Sequence, residues 1–186
     1  DAQLQPVPAL AKSWEISTDL LTYTFHLRSD VNFCFVDKQG KVTTRKMVAS
    51  DVAYSLSRIA DPATSSPGAW IFVGKIDSQL NRVFIAPNDS TFVLKLVSPA
   101  ASLLGLLSTN FGYVVPKEYA RLDKSYLARN PVGTGPFYVR RWEDEIKLVM
   151  RKNPHYHEKD TQGVPLPYLD AINVTFVKNK QTAFMQ

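Results

Sequence analysis

Apolar and polar residues alternate near the start of the chain: Tyr23, Phe25 and Leu27 are spaced by Thr22, Thr24, His26 and Arg28. A period of two is what a sheet with one wet face requires, so strands are predicted at 13–17 and 21–28, a hairpin joined through Thr18, Asp19 and Leu20. Val31, Phe33 and Phe35 continue the alternation to a turn at 37–40, where Gly40 permits positive φ. The period then changes. Val52, Leu56, Ile59 and Ala60 recur at helical spacing and predict an amphipathic helix over 49–60. Ser50 or a residue just before it is the expected cap, Asp51 lies in the positive first turn, Arg58 in the negative last turn, and Asp61-Pro62 is the stop. Residues 63–68, rich in Ser, Thr and Pro, read as a loop.

Further on, 81–86 and 91–97 flank Pro87, Asn88, Asp89 and Ser90 and predict a second hairpin, with Phe92, Leu94 and Leu96 on one face. Ser98 and Pro99 supply an N-cap and a first-turn proline for a helix that turns Ala100, Leu103, Leu104 and Leu107 toward a deep core. Another short helix starts at Pro116, and a second breaks at Asn130-Pro131. Gly133, Gly135 and two prolines crowd into 131–136, a compact turn feeding antiparallel strands at 137–142 and 146–151. A polar loop to Gly163, the run Pro165-Leu166-Pro167 and a strand at 171–177 follow. From Thr182 the chain reads like the opening of a helix, and with no methionine at the start both ends look excised from something longer.

At 186 residues and 45% hydrophobic, the chain can bury a real core, which excludes disorder as its default state. Prolines outnumber glycines and β-branched and aromatic residues recur in short runs, so the expectation is a mixed α/β fold, β-rich and of α+β character. Net charge is +5, yet Lys and Arg alternate with Asp and Glu along the chain. The densest cations, Arg140, Arg141, Lys147, Arg151 and Lys152, read as solvated strand faces, and nucleic acid is excluded as the main partner because a phosphate track needs adjacent cations. No apolar run, the longest being 99–107, reaches the length of a membrane-crossing helix.

Candidate chemistry is sparse. His155, Tyr156, His157 and Glu158 place two imidazoles on one side of an extended segment, but third and fourth metal ligands are not evident and a surface loop is the better reading. Gly133, Thr134 and Gly135 lack the lysine-bearing spacing of a phosphate loop; glycines chosen for backbone angles are expected there. No serine lies in a nucleophile elbow, and the single Cys34, unable to form an intrachain disulfide, sits in an apolar run as a small buried hydrophobe. Trp14, Trp70 and Trp142 are expected in core or subdomain packing rather than stacked on a ligand. Neither a catalytic site nor a cofactor is indicated.

Three separated stretches together resemble the family 5 extracellular solute-binding proteins. The first runs from Leu10 through Trp14 and Glu15 to Tyr23, Phe25, Leu27 and Arg28, with Val31 and Phe33 after it. The second is Ser50, Asp51, Val52, Ala53, Tyr54 and Ser55, with Arg58-Ile59 and Asp61-Pro62. The third is Asn130-Pro131-Val132, then Gly133, Thr134, Gly135, Pro136, Phe137 and Tyr138, later Trp142, Arg151-Lys152-Asn153-Pro154 and Tyr156, and finally Pro167, Tyr168, Leu169 and Asp170. The chain departs from the family pattern at Leu20, where glycine is common, at Val48, where threonine often caps the helix, at Cys34 and at His157.

The resemblance implies a type II periplasmic-binding-protein-like fold, with 1–129 as the outer subdomain of the first lobe, 130–186 as the start of its inner subdomain, and the second lobe absent. It further implies the solute-capturing component of an ABC importer, located in the periplasm or as a cell-envelope lipoprotein. Such a component closes two lobes on a peptide or other small solute and delivers it to membrane permease subunits. Most ligand contacts would then fall outside these residues. The alternative is the ligand-sensing domain of a transcription regulator.

Overall fold

The computed structural model describes residues 5–37, 40–118, 128 and 130–177. They belong to two compact units, one of 1–29 with 47–117 and the other of 30–46 with 118–186, so the chain passes between units at 29–30, 46–47 and 117–118.

The first unit is built on a four-stranded antiparallel sheet in the order β1-β2-β6-β5. β1 (Ala11–Ile16) and β2 (Thr22–Leu27) form the expected hairpin, with Trp14 opposite Phe25 and Ile16 opposite Tyr23. β6 (Thr91–Lys95) pairs with β2, and Phe25 and Phe92 stack at 5.8 Å between ring centroids. Helix α1 (Ala49–Ala60) packs on β5 and β6 and buries Val52 and Leu56. Phe92, Leu94, Leu103, Ile71, Phe72 and Val83 complete a core in which each is at most 2% exposed.

Three expectations for this unit are corrected. Residues 80–83 form one helical turn, α2 (Leu80–Val83), and the strand begins only at β5 (Phe84–Asn88), which runs through Pro87. A proline is tolerated there because β5 is an edge strand and its register slips between Ile85 and Asn88. The leucine helix, α3 (Leu103–Leu107), has Ser102 at its N-cap, while the Ser98 hydroxyl donates to the Gly74 carbonyl at 3.0 Å; of the four residues expected in a deep core, Ala100 and Leu103 are buried and Leu104 and Leu107 half-buried. The α1 cap is Val48, whose side chain has no acceptor; instead Asp51 reaches back to the Val48 N–H at 3.0 Å.

The β1–β2 turn carries a local cost. Leu20 takes φ 60° and is half exposed, a left-handed conformation in which its Cβ crowds the backbone. Asp19 fixes the turn, accepting from the Ser17 hydroxyl and from the Leu21 N–H at 3.0 Å, and these bonds hold its carboxyl below the usual range. Leu20→Gly removes the crowding, worth about 1–2 kcal/mol, against about 0.4–1 kcal/mol of added unfolded-chain entropy. A net gain of about 0.5–1 kcal/mol is therefore expected in urea unfolding. A loss of stability would mean that Leu20 packs better than its exposure indicates.

The second unit contains the hairpin β3 (Asn32–Val36) and β4 (Val42–Lys46) and the sheet β7 (Phe137–Glu143), β8 (Lys147–Lys152) and β9 (Ala171–Thr175) in sequence order. β3 does not extend the wet-faced alternation of β2. Phe33, Cys34 and Phe35 are all buried, so both faces of β3 are covered. β4 was not expected, because Thr43, Thr44, Arg45 and Lys46 carry no apolar alternation. On the β7–β9 sheet, Trp142, Leu148 and Val174 lie in register, as do Val139, Met150 and Ile172, an apolar face whose Trp142 and Val174 stay 38% and 37% exposed. Residues 116–118 include a turn; the rest of the helix expected from Pro116 and the one opening at Thr182 lie outside the described residues, as does all but Ala128 of the stretch before Asn130.

Candidate functional site

The first two family-type stretches fall in the first unit except for Val31 and Phe33, which lie in the second. Tyr23 is buried with its hydroxyl donating to the Ala100 carbonyl at 3.3 Å, and Leu27 is 5% exposed. Trp14 is half-buried on β1. Glu15, exposed on the same edge strand, lies 3.1 Å from His26 Nε2, and a carboxylate on an edge strand discourages further strand addition. The Arg28 N–H donates to the Leu10 carbonyl at 3.0 Å, which extends the hairpin by one residue. On α1, Val52 is in the core and the Arg58 guanidinium lies over the Tyr54 ring at 5.9 Å.

Asp51 lies in the first turn of α1, as expected, and does more than complement the helix end. It is 0% exposed, and its two oxygens accept from the Val48 N–H at 3.0 Å and the Lys117 N–H at 3.2 Å. One turn later Ser55, also buried, accepts from the Val115 N–H at 2.9 Å, and its single O–H has the Asp51 carbonyl in range at 2.7 Å and the Val115 carbonyl at 3.2 Å. Two polar side chains on one helix thus hold, through its backbone N–H groups, a segment more than fifty residues away.

The third stretch lies in the second unit and centres on Asn153. Asn153 is 1% exposed; its Nδ2 donates to the Gly135 carbonyl at 2.9 Å, its Oδ1 accepts from the His155 N–H at 3.0 Å, and its own N–H donates to the Pro136 carbonyl at 2.8 Å. Gly133 is tied to β3 by the Cys34 N–H donating to its carbonyl at 3.0 Å. The expectation that Gly133 and Gly135 serve special backbone angles is corrected: the positive-φ glycines are Gly40, Gly74 and Gly163. Thr134 and Pro136 are bends in the same half-buried turn.

Reactive groups are suppressed. Burial pushes the Cys34 thiol up to about 11, and burial with the Glu158 carboxylate nearby pushes the Tyr156 phenol up to about 12, so neither forms its anion near neutral pH. Among the described residues no group of three or more His, Cys, Asp or Glu side chains could hold a metal ion, and His155 and His157 lie in a loop. The tryptophan expectation fails in part. Trp70 is 52% exposed with an edge contact to Phe111, and Trp142 is 38% exposed.

The fold is that of the type II periplasmic binding proteins. DppA of Helicobacter pylori, solved in complex with the peptide STSA, superposes with a TM-score of 0.72 at 34% identity, over 96% of this chain and 35% of that one. The family model described as "Bacterial extracellular solute-binding proteins, family 5 Middle" matches residues 5–186, and the chain belongs to that family. Among curated relatives it is 33% identical over 162 residues to di/tripeptide-binding protein 2 of Pseudomonas aeruginosa, spanning 81% of this chain and 30% of the relative. It is 36% identical over 187 residues to heme-binding protein A of Haemophilus influenzae, spanning 95% of this chain and 33% of the relative. The chain therefore spans about a third of the length of the relatives it matches.

Proposed function

We propose that these residues form part of one lobe of the solute-capturing subunit of an ABC importer, and that the solute is a short peptide. The observation that carries the reading is the likeness to DppA solved with a bound peptide, at 34% identity over 96% of this chain. On this reading the unit holding β1, β2, β5 and β6 is the outer subdomain. The unit holding β7, β8 and β9 begins the inner one, together with the β3–β4 hairpin. The protein works by enclosing its ligand outside the cytoplasm, as a periplasmic or lipid-anchored component, and not by covalent chemistry; its partners are the membrane permease subunits. Ligand closure about a hinge supplies the signal that those subunits read.

Heme is the second reading, favoured by the 36% identity to a heme-binding protein over 95% of this chain. Calorimetry decides between them. The full-length protein is expected to bind di- to tetrapeptides with a Kd of about 1 μM or tighter, and the 186 residues alone to bind them more weakly than about 100 μM. Hemin binding without peptide binding would replace peptide by heme. Micromolar peptide binding by the 186 residues alone would place the site within them and overturn the two-lobe reading.

A further inference from the structure

Two of the passages between units, at 46–47 and 117–118, have their flanks tied to each other. Within the first unit the buried Asp51 carboxylate holds both: Oδ2 takes the Val48 N–H, just after one passage, and Oδ1 takes the Lys117 N–H, just before the other. Ser55 adds a reciprocal pair of hydrogen-bonding contacts with Val115, and the Lys117 ammonium donates to the Ser50 hydroxyl at 3.3 Å. Within the second unit the same thing happens on the far flanks. The Arg45 guanidinium, on β4, forms a fork with Glu118, Nη2 to Oε2 at 2.9 Å and Nε to Oε1. That guanidinium also lies over the Phe33 ring at 5.1 Å and donates to the Lys46 carbonyl at 2.8 Å, which fixes the fork on its own hairpin.

We infer that residues 45–48 and 115–118 form one paired strap that opens and bends as a single element, not as two independent tethers. The reason is the sharing of acceptors. Asp51 is 0% exposed, so an N–H released from it while the other stays bound leaves a buried polar group without its partner. Concerted release lets water reach both. The Arg45 guanidinium meets Glu118 at two points, a hydrogen bond from Nη2 and an ion contact from Nε, and two points of contact resist twisting of one strand against the other. A strap of this kind makes any displacement at one passage travel with the other, and it does so whatever the ligand is.

Amide hydrogen exchange on the full chain, resolved by NMR, tests this. In the unaltered protein the Val48, Val115 and Lys117 amides are expected to exchange with protection factors within about threefold of one another, as one opening unit. Glu118→Gln lies in the second unit and is half exposed, so its effect is modest. It is expected to speed Val48 and Lys117 by the same factor, about threefold, with the Leu94 amide of the core unchanged. Asp51→Asn, which can accept only one of the two N–H groups, is expected to speed all three by more than about tenfold. If that variant does not fold, Arg45→Gln is read in its place, with the same joint shift expected as for Glu118→Gln. Acceleration at Lys117 alone, at Val48 alone, or at neither in the Glu118 and Arg45 variants would overturn the strap.

Discussion

Asp51→Ala is expected to destabilise the protein by about 3–5 kcal/mol, seen as a lower urea midpoint. The figure follows from what the carboxylate does. Fully shielded from solvent itself, it accepts the Val48 and Lys117 N–H groups in part-buried bonds, and each hydrogen bond to a charged group contributes about 1.5–3 kcal/mol. Loss of the reach-back to the cap residue of α1 falls at the upper end of that range, because Val48 has no side-chain acceptor to share the work. Asp61→Ala is the matched control. Asp61 also caps a turn, accepting the Ala63 N–H at 2.9 Å, but near the surface, where water replaces it at a cost of about 1 kcal/mol. Equal costs for the two substitutions would show that burial of the Asp51 carboxylate contributes nothing, and the strap would lose its central anchor with it.

The contrast between these two aspartates also marks where sequence reading reaches and where it stops. Periodicity located the β1–β2 hairpin and the α1 helix because their signals are local: Tyr23 and Leu27 face a core two strand periods apart, and Val52 and Leu56 one helical turn apart. It failed at β4, whose Thr43, Thr44, Arg45 and Lys46 have no apolar face because the strand pairs only with β3. It failed again at Pro87, where a proline read as a turn is carried by an edge strand. Asp51 and Asp61 look alike as helix-terminal acids, since nothing near either names the Lys117 N–H as a partner. Family likeness singled out Asp51, Gly133 and Pro136 without giving a reason. The physical reason for Asp51, a side chain satisfying a distant backbone group, needed coordinates.

Asn153 is the second anchor whose loss is expected to be large, and its chemistry permits a sharper test than truncation. Asn153→Ala leaves the Gly135 carbonyl and the His155 N–H without the partners they have now at 2.9 and 3.0 Å, at a site 1% exposed, for an expected loss of about 2–4 kcal/mol. Proteolysis should then cut first within 131–136, since that turn is held from Asn153 through Gly135 and Pro136. Asn153→Asp preserves shape and the bond from His155 but sets a carboxylate oxygen against the Gly135 carbonyl, where the amide had donated. Only the protonated acid can donate to that carbonyl, so the folded state raises the pKa of the introduced group above its unfolded value. The sign follows. The aspartate variant recovers stability below the usual carboxylate pKa of about 4 and loses it as pH rises through the raised folded-state value, relative to the parent chain at each pH. A gap between variant and parent that stays constant from acid to neutral pH would mean that the Asn153 amide does not face Gly135 as a donor, and the turn would need another anchor.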